Sequence, residues 1–289
     1  MNFKRFSLRL LLIYFVLLGV AQFFTGCMSF RLTPEETKSA FSNKKYQPEI
    51  VVSEAAGRSI NYVEVGNDTL PTVVFVHGSP GSWSAFVDFL KTDSLLKKVR
   101  MVSVDRPGFG HSGFGDAEKS LIRQAAYLKP IVAEQRQNGK PIVLVGHSLG
   151  GPLIARMAMD YPELIDGLVF VAGSVAPELE PPRWYRYILD APPVKYLIPK
   201  SFRASNFEIL HLKEELELML PLWKTIKQPC IVIQGEEDSL VPVGNADFLR
   251  KKLVNAEYLE IQKIAGMNHF VPWSNPELIA EGLLGLVKE

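Results

Sequence analysis

Gly146-His147-Ser148-Leu149-Gly150-Gly151 follows the apolar run Pro141 to Val145 and opens a segment of small residues that reaches Tyr161. G-x-S-x-G between a strand and a helix forms a sharp turn that lifts a serine hydroxyl clear of a sheet. Glycines flank the serine because the turn strains its backbone and the neighbouring chain passes too close for side chains. The helix that follows aims free amides at the same point and favours negative charge developing there. The stretch predicts a nucleophilic serine at the end of a buried parallel strand.

The flanking sequence repeats the strand-and-turn pattern. Thr72 to Val76 is a β-branched run suited to a buried parallel strand, and it ends in His77-Gly78-Ser79-Pro80-Gly81. Cys230 to Ile233 is a similar run ending in Gly235-Glu236-Glu237-Asp238, followed by Gly266-Met267-Asn268-His269-Phe270. Further strands are predicted at 99–105, 168–171 and 258–264. Helical segments are predicted near 84–96, 118–138, 149–160, 246–253 and 276–286. Residues 50–65, broken by Ala56-Gly57-Arg58, read as an antiparallel pair at the sheet edge. This alternation predicts a doubly wound, mostly parallel sheet with its site at the C-terminal ends of the strands.

A serine hydroxyl needs an adjacent base at neutral pH, and among the histidines only His269 follows the last core strand. His77 ends a strand and reads as a brace for its loop, His147 as pointing away from the serine, His111 as part of a glycine loop, and His211 as a lid-helix residue. Asp105 reads as stabilising its own loop. Cys230, opening an apolar strand, reads as a small buried hydrophobe.

The order Ser148, Asp238, His269, with the H-G-x-P loop at His77 to Pro80 and the segment Asp105-Arg106-Pro107-Gly108-Phe109-Gly110-His111-Ser112, resembles the α/β-hydrolase fold family from about Ile50 onward. The resemblance implies an α/β sheet of about eight strands, with a core of residues 50–174 and 229–289 and a small helical lid, residues 175–228, inserted after the sixth strand. It implies Ser148 as nucleophile, His269 as base and Asp238 as the acid, chosen over Glu236 and Glu237 by its place before Ser239-Leu240-Val241-Pro242. The amides of Leu149 and Ser79 are the implied oxyanion donors, and the Ser79-Pro80 bond is expected to be cis. Epoxide hydrolases and haloalkane dehalogenases share H-G-x-P but use an aspartate where this chain has Ser148. Proline iminopeptidases typically carry G-G-S-W-G in place of Gly146 to Gly150.

Prolines 177, 181, 182, 192, 193 and 199 prevent one long lid helix, whereas Asn206 to Trp223 is an amphipathic candidate. Trp184, Tyr185, Tyr187, Phe202, Phe207 and Trp223 would suit an apolar acyl or alkyl pocket. The implied reaction is hydrolysis of a small or medium apolar carboxylic ester through an acyl-enzyme. Amide or peptide cleavage and carbon-carbon bond hydrolysis are alternatives within the fold, and an inactive lipid-anchored binding protein is the alternative of another class. No cofactor or metal is expected.

The chain has 289 residues, 47% of them hydrophobic, and a formal net charge of +1, which gives no reason to expect nucleic acid as a partner. Lys4, Arg5 and Arg9 precede the apolar run Leu10 to Val20, and Phe24-Thr25-Gly26-Cys27 forms a small-residue cleavage site ending in cysteine. This resembles the signal of bacterial lipoproteins and implies residues 1–26 as signal peptide, lipid on Cys27, residues 27–49 as a solvated spacer, and a membrane-anchored place in the cell envelope. A single-pass anchor with an exported domain is the alternative, although about 20 apolar residues are needed to span a bilayer and the run is shorter.

Overall fold

The computed structural model describes residues 9–20, 28–181 and 183–287. Helix α1 covers residues 9–20, and α2 (Pro34–Phe41), β1 (Glu49–Ala55), β2 (Arg58–Val65) and β3 (Thr72–Val76) follow. Two short helices, α3 (Val87–Leu90) and α4 (Asp93–Leu96), lead to β4 (Arg100–Val104), α5 (Leu121–Gln135), β5 (Ile142–His147), α6 (Gly150–Asp160) and β6 (Gly167–Val171). The lid carries α7 (Trp184–Asp190) and α8 (Lys200–Met219); β7 (Cys230–Gly235), α9 (Gly244–Lys252), β8 (Leu259–Ile264), α10 (Val271–Ser274) and α11 (Pro276–Leu286) complete the fold.

The eight strands form one sheet in the order β1-β2-β4-β3-β5-β6-β7-β8. β2 runs antiparallel to β1 and β4, and the remaining neighbours are parallel. β3, β5, β6 and β7 are buried at every residue, so they need apolar side chains on both faces. Val74, Val76, Ile142 and Leu144 pack into one layer and Val73, Phe75, Val143 and Val145 into the other. The edge strands β1 and β8 are only partly covered. Register pairs Val76 with Gly146, His147 with Val171 and Gly235 with Ile264, which brings the C-terminal ends of β3, β5, β6, β7 and β8 into one row.

The segment expected to be a solvated spacer is docked instead. Thr33 and Glu36 cap α2 reciprocally, and Phe41 at the end of α2 is fully buried in the core layer with Val65 and Phe89. Arg31 Nη1 donates to the Gly110 carbonyl at 3.0 Å, and the hydroxyls of Ser82 and Ser201 donate to the carbonyls of Phe30 and Met28. Burial of Phe41, worth roughly 1.5–3 kcal/mol, and these hydrogen bonds together hold the segment on the domain. Cys27 lies outside the described residues. Among those described, no helix is long and apolar enough to cross a membrane.

The lid helix α8 begins at Lys200 and ends at Met219, not at Asn206 and Trp223 as predicted. Pro199 is its N-cap, with φ −52° and ψ 144°, and no side chain caps the free amides of the first turn. Trp223 is fully buried, edge-on to Phe248, and belongs to the core.

Candidate active site

Ser148 has φ +53°, a rare value for a residue with a side chain. Three backbone bonds hold it there: Ser148 N to Val171 O at 2.9 Å, and Gly151 N and Ser174 N to Ser148 O at 2.9 and 3.1 Å. The turn tolerates no Cβ at Gly150, where one would come within 2.2 Å of the Val76 carbonyl oxygen. Leu149 is the N-cap of α6, so its amide precedes the first intrahelical bond.

Asp238, buried after β7, gathers four donors. Oδ2 accepts from His269 Nδ1 at 2.7 Å and from Gln234 Nε2 at 3.2 Å, while Oδ1 accepts from the amides of Leu240 and Val241 at 2.9 and 2.7 Å. Burial alone would raise its pKa; the His269 bond and the two amides outweigh it and hold the carboxyl below its ordinary range. A carboxylate only accepts, so the His269 proton sits on Nδ1 and Nε2 keeps its lone pair. The side chains of Glu236 and Glu237 are exposed.

The other histidines have structural settings. His77 Nε2 accepts from the Arg106 amide at 3.0 Å and Nδ1 donates to the Gly78 carbonyl at 2.6 Å. His147 lies 4.8 Å from the His269 ring, centroid to centroid, and donates to the His269 carbonyl at 3.1 Å, bracing the loop that carries His269. Burial and the neighbouring His269 push the His147 pKa down to about 3, and burial with the Arg106 charge pushes that of His77 well below its ordinary value. His211 bonds the Phe207 carbonyl one turn back on α8, and His111 donates its amide to Asp105. Asp105 also accepts from the Trp83 amide and Asn61 Nδ2, closing its own loop; burial raises its pKa to about 6.

The Ser79-Pro80 bond is cis. The Gly78 backbone abuts Ser148 so closely that a Cβ at Gly78 would lie 2.9 Å from Ser148 Cβ. This loop is tied to the lid through a buried cluster that sequence reading missed. Arg106 is fully buried and makes two bonds of 2.9 Å to the Glu208 carboxylate of α8; Nη1 also donates to Gln124 Oε1 at 3.0 Å and Nη2 to the Gly78 carbonyl at 3.2 Å. The Ser79 hydroxyl donates to the same Glu208 at 2.9 Å. The partners are 102 residues apart, so no spacing announces them; the available signal was a lone acid between Phe207 and Ile209 on an amphipathic helix.

Two cavities meet at this edge of the sheet. One, about 610 Å³, lies under the lid; the other, about 940 Å³, is walled by residues 29–33 and Glu36 of the N-terminal segment. Both are lined by Ser79, Ser148, Leu240 and His269. Of the lid aromatics, Tyr185, Tyr187 and Phe202 line the first, alongside Arg183, Arg186 and Lys213, while Trp184 is 73% exposed. The lid cavity thus combines these charges with an aliphatic wall of Leu189, Ile198, Ile209 and Leu210. The other cavity is walled by Phe30, Leu32, Phe270 and Trp273, with Arg31 and Glu36 at the N-terminal segment.

Residues 73–282 match the model of the Alpha/beta hydrolase family. The chain is 28% identical over 269 residues to an uncharacterized hydrolase, YugF, of Bacillus subtilis, with 80% of this chain and 95% of that protein covered. It is 24% identical over 258 residues to the monoacylglycerol lipase ABHD6 of Homo sapiens, 73% of each being covered. The crystal structure of a membrane phospholipase A, described as a bacterial virulence factor, shares the fold with a TM-score of 0.65 at 20% identity, covering 98% of this chain and 97% of that one. With a family match spanning β3 to α11, this chain belongs to the alpha/beta hydrolase family.

Proposed function

We propose that this protein is a serine hydrolase that cleaves a carboxylic ester through an acyl-enzyme. Ser148 Oγ attacks the ester carbonyl as His269 Nε2 takes its proton, and Asp238 holds the imidazole in that tautomer and stabilises its charged form. The amides of Leu149 and Ser79 receive the developing oxyanion, each contributing on the order of 3 kcal/mol in the transition state. His269 returns the proton to the leaving alcohol, and a water activated by the same nitrogen then releases the acid from Ser148. The observation that carries this reading is the left-handed Ser148 on its turn, sharing a cavity with a His269 already bonded to a buried carboxylate. The lipase named among the relatives supports an ester over an amide.

The test is Ser148→Ala, assayed with p-nitrophenyl esters and a fluorophosphonate label. Loss of a nucleophile of this kind lowers kcat on the order of a million-fold, so the variant should neither turn over nor label while melting like the wild type. Wild-type turnover by the variant would overturn the assignment. We further propose lipid on Cys27 and anchoring at the cell envelope, supported by the charged and apolar stretches before it.

A further inference from the structure

The two cavities that meet at Ser148 differ in chemistry. The one beside the N-terminal segment is lined by Phe30, Leu32, Ala85, Phe270 and Trp273, and its charged residues Arg31 and Glu36 bond the Gly110 carbonyl and the Thr33 amide. Under the lid, Arg183, Arg186, Lys213, Glu180 and Glu214 line the other. Burial raises the Glu180 pKa above its ordinary value, and its carboxylate is engaged by the Ser174 hydroxyl. Lys213 lies 3.9 Å from Glu217, so the cations of this chamber with no carboxylate within 4.0 Å among the described residues are Arg183 and Arg186.

Arg186 is the informative member. It is half-buried, and among the described residues no carboxylate lies within 4.0 Å of its guanidinium. Its bond is to the neutral amide oxygen of Asn206 at 3.3 Å, with the Tyr185 ring 5.7 Å away. Arg183 adds a second charge nearby, its guanidinium donating to the Tyr185 hydroxyl at 3.5 Å. A guanidinium partly out of water presents a planar fork of donors matched to phosphate and carboxylate oxygens. The Arg106 guanidinium, by contrast, has its carboxylate in Glu208.

We propose that the substrate is an amphiphilic ester, with one apolar chain in the cavity beside residues 29–33 and an anionic phosphate or carboxylate group on Arg186, aided by Arg183 and Lys213, on the opposite side of the bond that is cut. This rests on the ester-hydrolase reading above and specifies its substrate class. Hydrolysis proceeds as already described, with water as co-substrate and the anionic group unchanged.

The experiment compares kcat/KM for two matched pairs of single-chain esters below their micellar concentrations. These are dodecanoyl glycerol phosphate against dodecanoyl glycerol, and monododecyl succinate against dodecyl propionate. The anionic member of at least one pair should be preferred on the order of tenfold, the scale of one charge-assisted hydrogen-bonded contact. Arg186→Gln should collapse that preference, Arg183→Gln and Lys213→Gln should lower it less, and Arg186→Lys should restore part of it. Melting temperature and fluorophosphonate labelling verify the fold of each variant. Inhibition of p-nitrophenyl butyrate hydrolysis separates a substrate headgroup from a free anion. Dodecyl phosphate should compete at far lower concentration than inorganic phosphate, and equal potency would overturn the proposal. A preference for the neutral member of both pairs, or a preference unmoved by Arg186→Gln, overturns it while leaving the hydrolase reading intact, provided that turnover still requires Ser148. Turnover of every ester by Ser148→Ala would defeat the underlying reading instead.

Discussion

Asp238 accepts four hydrogen bonds, whereas its neighbours Glu236 and Glu237 are exposed. Asp238→Asn leaves the shape of the site but offers an amide to His269 Nδ1, favouring the tautomer that lacks a basic Nε2; kcat should fall about ten-thousand-fold, as in other serine triads. Glu236→Gln and Glu237→Gln should stay near wild type, and a crippled Glu237→Gln would move the acid. His147 and His77 set the response of the fold to acid. Both are buried with pKa values pushed down, His147 to about 3, so below about pH 6.5, and for His147 down to about pH 3, the unfolded chain binds protons that the folded one refuses. Each histidine should therefore lower stability by about 1.4 kcal/mol per pH unit as pH drops, while Asp105, its pKa raised to about 6, binds its proton in the folded chain first and offsets one of them between about pH 6 and 4. The Asp238 contribution has the depressed-acid sign and is lost only lower, as pH falls below the ordinary carboxylate value. Urea melts at pH 7, 6 and 5 measure the slope, and His147→Phe should reduce it by one proton's worth. An unchanged slope would mean that His147 protonates in place.

The buried ion pair of Arg106 with Glu208 joins the lid to the loop after β4, and hydrogen bonds from Arg106 to the Gly78 carbonyl and from Ser79 to Glu208 tie in the loop after β3. Glu208→Ala strands the guanidinium in the interior and should cost about 3–5 kcal/mol, the usual penalty for breaking such a pair. It also frees Ser79, so kcat should drop more than KM changes. Arg106→Met with Glu208→Leu should recover much of the stability without the rate, because the Ser79 bond is still missing. A loss under about 1 kcal/mol for Glu208→Ala would show that water reaches the pair. The strands and the turns at Ser148, Asp238 and His269 were legible from sequence because continuous apolar runs ending in glycine have few other folds. The start of α8 was not, since Lys200 to Ser205 carries no strong helical pattern and the boundary is set by Pro199 and the buried Ser201. Nor was the Arg106 cluster, which depends on how the lid lies on the core. The aromatic residues of the lid misled for the same reason: Trp223 faces inward and Trp184 outward, a difference of rotation that composition does not encode.

For the molecule as a whole, the stretch from Met28 to Pro48 is part of the domain rather than a cord leading to it. Phe41 fills the core and Phe30 packs edge-on against Phe202 of α8, 5.6 Å between centroids. The proposed lipid on Cys27 is tested by metabolic labelling with a palmitate analogue and membrane fractionation. Wild type should be labelled and sediment with membranes, and Cys27→Ala should be unlabelled. Should both remain membrane-bound, unlabelled and at full length, the apolar segment is an uncleaved anchor instead. Either form of attachment would act through the docked segment. Ser29 already lines the apolar cavity, and two residues of extended chain span at most about 7 Å. With a lipid on Cys27 such a tether has no slack: the cavity mouth cannot swing away from the bilayer, the search for ester becomes two-dimensional, and turnover follows the mole fraction of substrate in the lipid plane, not its concentration in bulk water.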